Sequence, residues 1–436
     1  MTFAEAEKYI MEQLPMYERQ GNAGYQGGLE KTLLLLEKFN NPHLQFPSIH
    51  IAGTNGKGSV SSMIASILQE AGYNVGLYTS PHLKTIRERI KINGQMIPAH
   101  WITNFTKKNL YLIEQIKPSF FEINTVMAFC YFAESDVDIA VIETGLGGRL
   151  DATNVIRPLV SIITSISFDH MKLLGNTLQQ IATEKAGIIK PNVPCIIGEK
   201  NLETIPVFEQ FAQKNNAPIT FANDKFITQK FYQSLIPPKI QVELNDENKK
   251  IYKLTSPLVG KVQIENMKTV LCTIEILKSY KYKINYNHIK NGFSRIIENT
   301  GLFGRWSYIP NNVPIIMDIG HNVGAVNNLV EMLNNIEKER LHIVWGMMAD
   351  KDVEGILKLL PSDAEYYFCS PHVPRALDSR ILLEKAKKIH LNGKSYKSVR
   401  RALYEAKRCA NRKDLIFVGG SAFVVAEEGI VEVHDT

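Results

Sequence analysis

The stretch PSIHIAGTNGKGSVSSMIASILQEAGYNVGLYTS, residues 47–80, decides the fold. A short apolar run leads into a glycine loop, Gly53-Thr54-Asn55-Gly56-Lys57-Gly58-Ser59. After the loop, Val60, Met63, Ile64, Ile67, Leu68 and Ala71 recur at helical spacing, and Gly72 is a natural stop. YNVGLYTS then reads as another strand. A glycine loop between a strand and a helix suits phosphate. Glycines let the backbone approach oxygen atoms closely, and the first N–H groups of the helix point at the anion. Lys57 adds a mobile positive charge for β- and γ-phosphates. The common pattern G-x-x-x-x-G-K-[ST] has four residues between its glycines. Here only Thr54 and Asn55 separate Gly53 from Gly56, so that pattern is not met. The alternative for the loop alone is a glycine-rich turn with a solvated lysine.

Working outward, DIAVIETGLGG (138–148) and PLVSIITSIS (158–167) are near-continuous apolar runs, as in strands buried on both faces of a parallel sheet. LQQIATEKAGIIK (178–190) is a helix candidate. Residues 1–46 read as helical, with an apolar run at Leu33–Leu36 and a glycine-rich break at 21–28, GNAGYQGG. Residues 223–257 turn polar and β-patterned, like an antiparallel hairpin, and a helical segment follows at 264–280. A polar join near 297–304 is the expected domain boundary. From 313 the alternation of strand and helix restarts, with VPIIMDIG, LHIVWGM, AEYYFCS and DLIFVGG as strand candidates. The expected class is α/β. A large domain, 1–297, would carry a mainly parallel sheet plus a small antiparallel hairpin region. A smaller C-terminal Rossmann-like α/β domain would span 298–436.

The chain of 436 residues is 44% hydrophobic and 22% charged, ordinary for a globular protein. Its net charge of +6 is a mild bias. That suits anionic ligands such as nucleotides and polycarboxylates, and there is no basic block of the kind that marks a nucleic-acid-binding arm. The five cysteines, at 130, 195, 272, 369 and 409, are scattered and odd in number, which argues against a disulfide framework or a zinc site. MTFAEAEKYI lacks the order of a secretory signal, and no apolar run is long enough to span a membrane. A cytoplasmic protein without a membrane partner is expected.

Three residues point to chemistry near the loop. Glu143 ends a buried strand, at the sheet edge where α/β proteins bind ligands. It is followed by Gly145, Gly147 and Gly148, so it is placed to hold a metal beside phosphate. Paired to a base it would be purely structural. His170 follows another apolar strand, next to Asp169, which could fix its tautomer. Lone histidines are more often structural. Lys185 lies in a helix, where lysine is ordinarily a solvated charge.

The shortened Thr-Asn loop resembles that of the Mur ligase superfamily, and the chain as a whole resembles its folate branch, the dihydrofolate and folylpolyglutamate synthases. The matching landmarks, in that family's order, are TSPHL (79–83), FFE (120–122), ETGLGGRLDATN (143–154), FDH (168–170), EKAGIIK (184–190) and DIGHN (318–322). The resemblance implies an ATP-dependent ligase that adds L-glutamate to dihydropteroate or a reduced folate through an acyl phosphate. It implies a P-loop ATPase domain for 1–297 that also binds folate. ATP would be held by Asn55, Gly56, Lys57, Gly58 and Ser59, and by Asn266, Arg305, Asp318 and His321. The adenine motif H-Q-x-x-N-A departs here to Val262-Gln263-Ile264-Glu265-Asn266-Met267. Two magnesium ions are implied, one on Ser80 and Glu143 and a second on His170, together with a CO2-derived carbamate on Lys185 as a metal ligand and room for a monovalent cation. Imidazole is an unusual donor to magnesium. The folate position would be Gly28, Leu29 and Glu30, Ser119, Phe120, Phe121 and Glu122, and Leu150, Asp151 and Ala152. For the two phenylalanines alone, core packing is the simpler reading. Glutamate would bind the second domain, with Arg375 a candidate partner for one carboxylate. Lys57, Glu143, His170 and Lys185 would form the catalytic set, in a monomer.

The rival readings are a Mur-type cell-wall amino-acid ligase, a simple P-loop kinase or ATPase, and a non-catalytic ATP- or folate-binding homologue. The first would need a substrate domain before the loop, where only the residues before Gly53 are available. The second has no need of a further α/β domain. The third is disfavoured by intact Lys57, Glu143, His170 and Lys185.

Overall fold

The computed structural model describes residues 1–16 and 28–427, so the glycine-rich break lies, apart from Gly28, outside the described residues. The chain divides into two compact units. One comprises Met1–Tyr232, Gln241–Pro257 and Lys261–Leu302; the other comprises Gln233–Ile240, Leu258–Gly260 and the chain from Phe303 onward.

The first unit is built on eight strands: β1 (Ser48–Ala52), β2 (Val75–Tyr78), β3 (Ile90–Ile92), β4 (Gln95–Met96), β5 (Ile139–Glu143), β6 (Val160–Ile163), β7 (Cys195–Ile197) and β8 (Ile219–Phe221). Their order is β4-β3-β2-β5-β1-β6-β7-β8. From β2 to β8 all neighbours run parallel, and β3 and β4 extend the β2 edge antiparallel. Every residue of β1, β5 and β6 is buried, which is why these strands read as unbroken apolar runs. β1 lies between β5 and β6, with Ile51 level with both Glu143 and Ile162. The carboxyl ends of these neighbours are where an open α/β sheet binds ligands. Among the described residues, no helix is long and apolar enough to cross a membrane.

The region read as a hairpin is a three-stranded sheet, β9 (Phe226–Leu235), β10 (Pro238–Asp246) and β11 (Ile251–Ser256), with β10 in the middle. The two-residue link between β9 and β10 permits only antiparallel pairing. The following helix runs over Lys261–Ser279 and so starts three residues before the sequence reading placed it. Val262, 40% exposed, breaks the apolar periodicity there. The polar join near 297–304 contains a short helix, Ile296–Thr300.

In the second unit β12 (Ser307–Ile309), β13 (Ile315–Asp318), β14 (Leu341–Trp345), β15 (Glu365–Cys369), β16 (Gly393–Tyr396) and β17 (Leu415–Gly419) form a sheet of order β12-β13-β17-β14-β15-β16. All pairs are parallel except β12 with β13. Four of these strands are the apolar runs expected. The edge strands β12 and β16 are short and only half-buried, so no apolar run announced them.

Candidate active site

The glycine loop joins β1 to the helix Lys57–Glu70, which starts at Gly56 with a φ of 88° and no side-chain cap. Its first N–H groups therefore face outward from the loop, as an anion site needs. Gly53 has a φ of 148°, and a Cβ there would lie 1.9 Å from Thr164 Oγ1. The chain just past β6 braces the loop from that side. Thr54 N donates to Ser165 O at 2.7 Å and Thr54 Oγ1 to Ser167 O at 3.1 Å. The hydroxyls of Thr164 and Ser165 donate to Asn55 O at 2.6 and 3.1 Å. Sequence reasoning missed these two residues; their signal is a run of small hydroxyl side chains, TSIS, at a buried strand's end. Lys57 Nζ folds back to donate to Gly53 O at 3.1 Å and Thr54 O at 3.4 Å. Gly58 and Ser59 are buried in the first helical turn. Gln263 Nε2 donates to Ser59 Oγ at 3.5 Å, and a Cβ on Gly56 would meet Asn266 Oδ1 at 2.7 Å. Gln263 and Asn266, the two amides expected at adenine, thus stand against the glycine loop itself.

Glu143 is buried, and its Oε2 accepts the N–H of Ser80 at 3.2 Å. Lys185 is buried as well, and its amine donates to Gly53 O at 2.8 Å. Burial, reinforced by the nearby Lys57 charge, lowers its pKa to about 7, against the pull of Asp169 and Asp151. Lys185 is therefore not the solvated helix lysine that its position suggests. Gly148 lets this happen, since a Cβ there would sit 2.9 Å from the carbonyl oxygens of both Glu184 and Lys185. His170 precedes the turn Met171–Leu174 with a φ of 50°. Its backbone N–H donates to Asp169 Oδ1 at 2.8 Å, while ring Nε2 stands 3.7 Å from Asp169 Oδ2.

The residues placed at the folate position divide by burial. Phe120 is enclosed, with Arg89 stacked over its ring at 5.0 Å and His82 alongside. Phe121 is partly buried and lies against Gly145, where a Cβ would reach 2.4 Å from its ring. Ser119 and Glu122 form a capping box for the helix Phe120–Glu134, each side chain closing on the other's N–H. Gly28, with a φ of 135°, and Leu29 lead into the helix Glu30–Lys38, and Glu30 Oε2 fills the space beside Gly28. Leu150 is partly buried, and Asp151 caps the short turn that begins at Ala152. The Asp151 carboxylate accepts from the N–H groups of Gly145, Leu146 and Thr153 at 2.9, 2.8 and 3.0 Å.

In the second unit, Asp318 ends β13. Its carboxylate accepts from Trp306 N at 2.7 Å and Gly320 N at 2.8 Å. Burial raises its pKa, with the Arg305 charge opposing. His321 Nδ1 lies 3.0 Å from Ile319 O, and an Arg305 guanidinium nitrogen donates to Gly304 O at 3.4 Å. These three residues gather at one end of the second sheet. Arg375 makes an ion pair with Asp350 at 3.1 Å, so a carboxylate already occupies part of its fork.

Residues 51–274 match the Mur ligase middle domain, and residues 304–422 match the Mur ligase, glutamate ligase domain. The chain is 36% identical over 363 residues to the dihydrofolate synthase/folylpolyglutamate synthase of Bacillus subtilis (strain 168), covering 81% of this chain and 83% of that protein. It is 32% identical over 388 residues to the enzyme of the same name from Escherichia coli (strain K12), covering 88% and 86%. Among solved structures, E. coli FolC in complex with DHPP and ADP superposes with a TM-score of 0.84 at 29% identity, over 98% of this chain and 96% of that one. Mycobacterium tuberculosis folylpolyglutamate synthase complexed with ADP gives a TM-score of 0.87 at 27% identity, over 97% and 96%.

Proposed function

The chain belongs to the Mur ligase family, in its dihydrofolate synthase/folylpolyglutamate synthase branch, and from that premise we propose that it joins L-glutamate to dihydropteroate, to a reduced folate, or to both. It is an ATP-dependent acid–amino-acid ligase. The observation that carries the reading is the buried Lys185 amine on the carbonyl of Gly53, in the loop that also holds Lys57. A simple kinase needs the loop and Lys57 but has no use for a second, buried lysine of lowered pKa. The curated relatives carry folate names, which favours a folate acceptor over a cell-wall one.

In the reaction, a carboxylate oxygen of the acceptor attacks the γ-phosphorus of ATP and ADP leaves. The α-amine of glutamate then attacks the acyl phosphate carbonyl. A C–N bond forms, inorganic phosphate leaves, and the surplus amine proton passes to solvent. Activation is needed because a free carboxylate is a poor electrophile. Lys57, released from the Gly53 and Thr54 carbonyls, would follow the β- and γ-phosphates, while the uncapped helix start holds the phosphate oxygens. Glu143 and Ser80 offer oxygen donors, which fit magnesium. A carbamate on Lys185 would add a further oxygen donor beside His170, whose imidazole is the atypical ligand of the set. Magnesium held there supplies positive charge against the triphosphate. That carbamate would form by attack of the neutral Lys185 amine on CO2 with release of a proton. A buried amine with a pKa of about 7 is neutral often enough for that.

Glutamate is assigned to the second unit. No residue is assigned to a monovalent cation. The five cysteines are free thiols, in keeping with a reducing cytoplasm, and a monomer suffices for this chemistry. The test is purified protein with ATP, magnesium and glutamate, offered dihydropteroate and tetrahydrofolate separately. Glutamate-dependent phosphate release is expected with at least one acceptor, and it should be lost in Lys57→Ala and Glu143→Ala and on chelation of magnesium. Release with neither acceptor sinks the folate reading.

A further inference from the structure

Asp151 is fully built into the protein. Oδ2 accepts both N–H groups of the Gly145–Leu146 turn, at 2.9 and 2.8 Å. Oδ1 accepts the N–H of Thr153 at 3.0 Å and the Thr153 hydroxyl in a short contact. Three backbone N–H groups and the Thr153 hydroxyl all donate to the carboxylate. Burial pushes its pKa up, and these four donors oppose that by favouring the charged form. The Thr153 oxygen must then accept. Its neighbour is Nε2 of His50, 2.8 Å away and wholly buried in β1. The ring must therefore carry its proton on Nε2. Its Nδ1, buried without a partner among the described residues, is then left as a lone pair rather than an N–H. Burial favours the same neutral imidazole, holding the pKa near 3.

The result is one directed chain: His50 Nε2–H to Thr153 Oγ1, Thr153 O–H to Asp151 Oδ1, and Asp151 Oδ2 to the Gly145–Leu146 turn. That turn follows Glu143 directly, and its other side rests on the Phe121 ring. It therefore links the end of β5 to the Phe121 ring. We propose that His50 and Thr153 are positioning residues, which hold Asp151 and through it the Gly145–Leu146 turn in register with Glu143. Neither residue needs to touch a substrate.

The kinetic arm of the test rests on the ligase reading; the spectroscopic arm does not. Thr153→Val removes the hydroxyl at nearly constant volume, and Thr153→Ser keeps it. The Val variant should lose at least about tenfold in kcat and raise the acceptor KM, with the ATP KM unchanged, on the scale of one hydrogen bond to a charged acceptor. The Ser variant should recover wild-type values to within about threefold, since it restores that hydrogen bond. A Val variant with a lower melting temperature but unchanged kcat and acceptor KM, or a Ser variant as impaired as Val, overturns the proposal. In histidine-labelled wild-type protein, nitrogen NMR should show His50 as a neutral Nε2–H ring, identified as the signal lost in His50→Gln. An Nδ1–H tautomer or an imidazolium at His50 overturns the relay even if neither Thr153 variant folds. If the wild type shows no glutamate-dependent turnover, the ligase reading fails, and the tautomer still decides the relay.

Discussion

A lysine at the eighth position of the nine-residue helix Leu178–Ala186 would ordinarily reach into water, yet Lys185 turns inward to the carbonyl of Gly53, 132 residues away in the chain. Its folded pKa, about 7, lies below the unfolded value of 10.5. The sign of the linkage follows. Below about pH 7 the amine is charged in both states, and the cost of burying that charge is borne in full. Between pH 7 and 10.5 the folded state has shed the proton while the unfolded chain keeps it, so the cost fades as pH rises. Removing the charge with Lys185→Met should therefore raise the melting temperature more at pH 6 than at pH 9, which thermal scans at the two values would decide. Carbamate formation has the same sign, because only the neutral amine attacks CO2. Protein equilibrated with 13C-bicarbonate should give a carbamate carbonyl signal that grows from about pH 6 to 8 and is missing in Lys185→Ala. That variant should lose roughly a hundredfold or more in kcat, the scale of one group that stabilises transition-state charge, and small carboxylates should restore part of the loss. A signal that is flat with pH, or retained in Lys185→Ala, would count against the carbamate.

The helix that carries Lys185 is set by the loop it packs on. The backbone of Gly148 passes so close to the helix end that a Cβ would sit 2.9 Å from two carbonyl oxygens, and Arg149 N donates to Glu184 O at 2.7 Å. In Gly148→Ala the helix end must shift, at a cost of about 1–3 kcal/mol for overpacking. The shift should also pull Lys185 away from Gly53. Urea unfolding should show the lost stability, and kcat should fall further than the unfolded fraction accounts for. A variant with normal kcat would show that the helix end has room to move. This coupling was only half legible in the sequence. The buried strands announced themselves as apolar runs, and the glycine loop stood out because strand, glycines and helix agree. By contrast, Gly145, Gly147 and Gly148 read only as room for Glu143 to hold a metal beside phosphate, and nothing local shows that Gly148 serves helix contact. Ser119-Phe120-Phe121-Glu122 carried a readable signal, the S-x-x-E spacing of a capping box, beside its family resemblance. Thr164 and Ser165 were missed because hydroxyls at a strand's end have no periodicity to betray them.

At the scale of the whole chain, the division into units does not follow a single cut. The second unit takes in Gln233–Ile240 and Leu258–Gly260, segments that precede its main body by some way in sequence. The polar join near 297–304 is visible in composition. The recruited segments are not, because hairpin residues that pair locally give no sign of a distant partner. Their contribution is specific. Trp306 Nε1 donates to Leu235 O at 3.2 Å, and the indole is buried at 3% exposure. Gln233 Oε1 accepts from Gly260 N at 3.0 Å, tying the two recruited pieces together. A fragment that begins at Phe303 keeps Trp306 but loses the carbonyl its indole bonds to and the segments packed with it. An unmet buried donor costs about 1–3 kcal/mol, and exposing a large apolar side chain costs a similar amount. Fragment 303–436 should therefore emit at longer wavelength, with Trp345, 1% exposed within the sheet, as the unshifted reference. It should also unfold in urea at a lower midpoint than the same fragment carrying residues 233–260 on a flexible linker. Equal midpoints and equal emission would show that the unit is complete from Phe303 onward. In that case the hairpin tip would be a passenger on the second sheet, and 302/303 a true domain boundary.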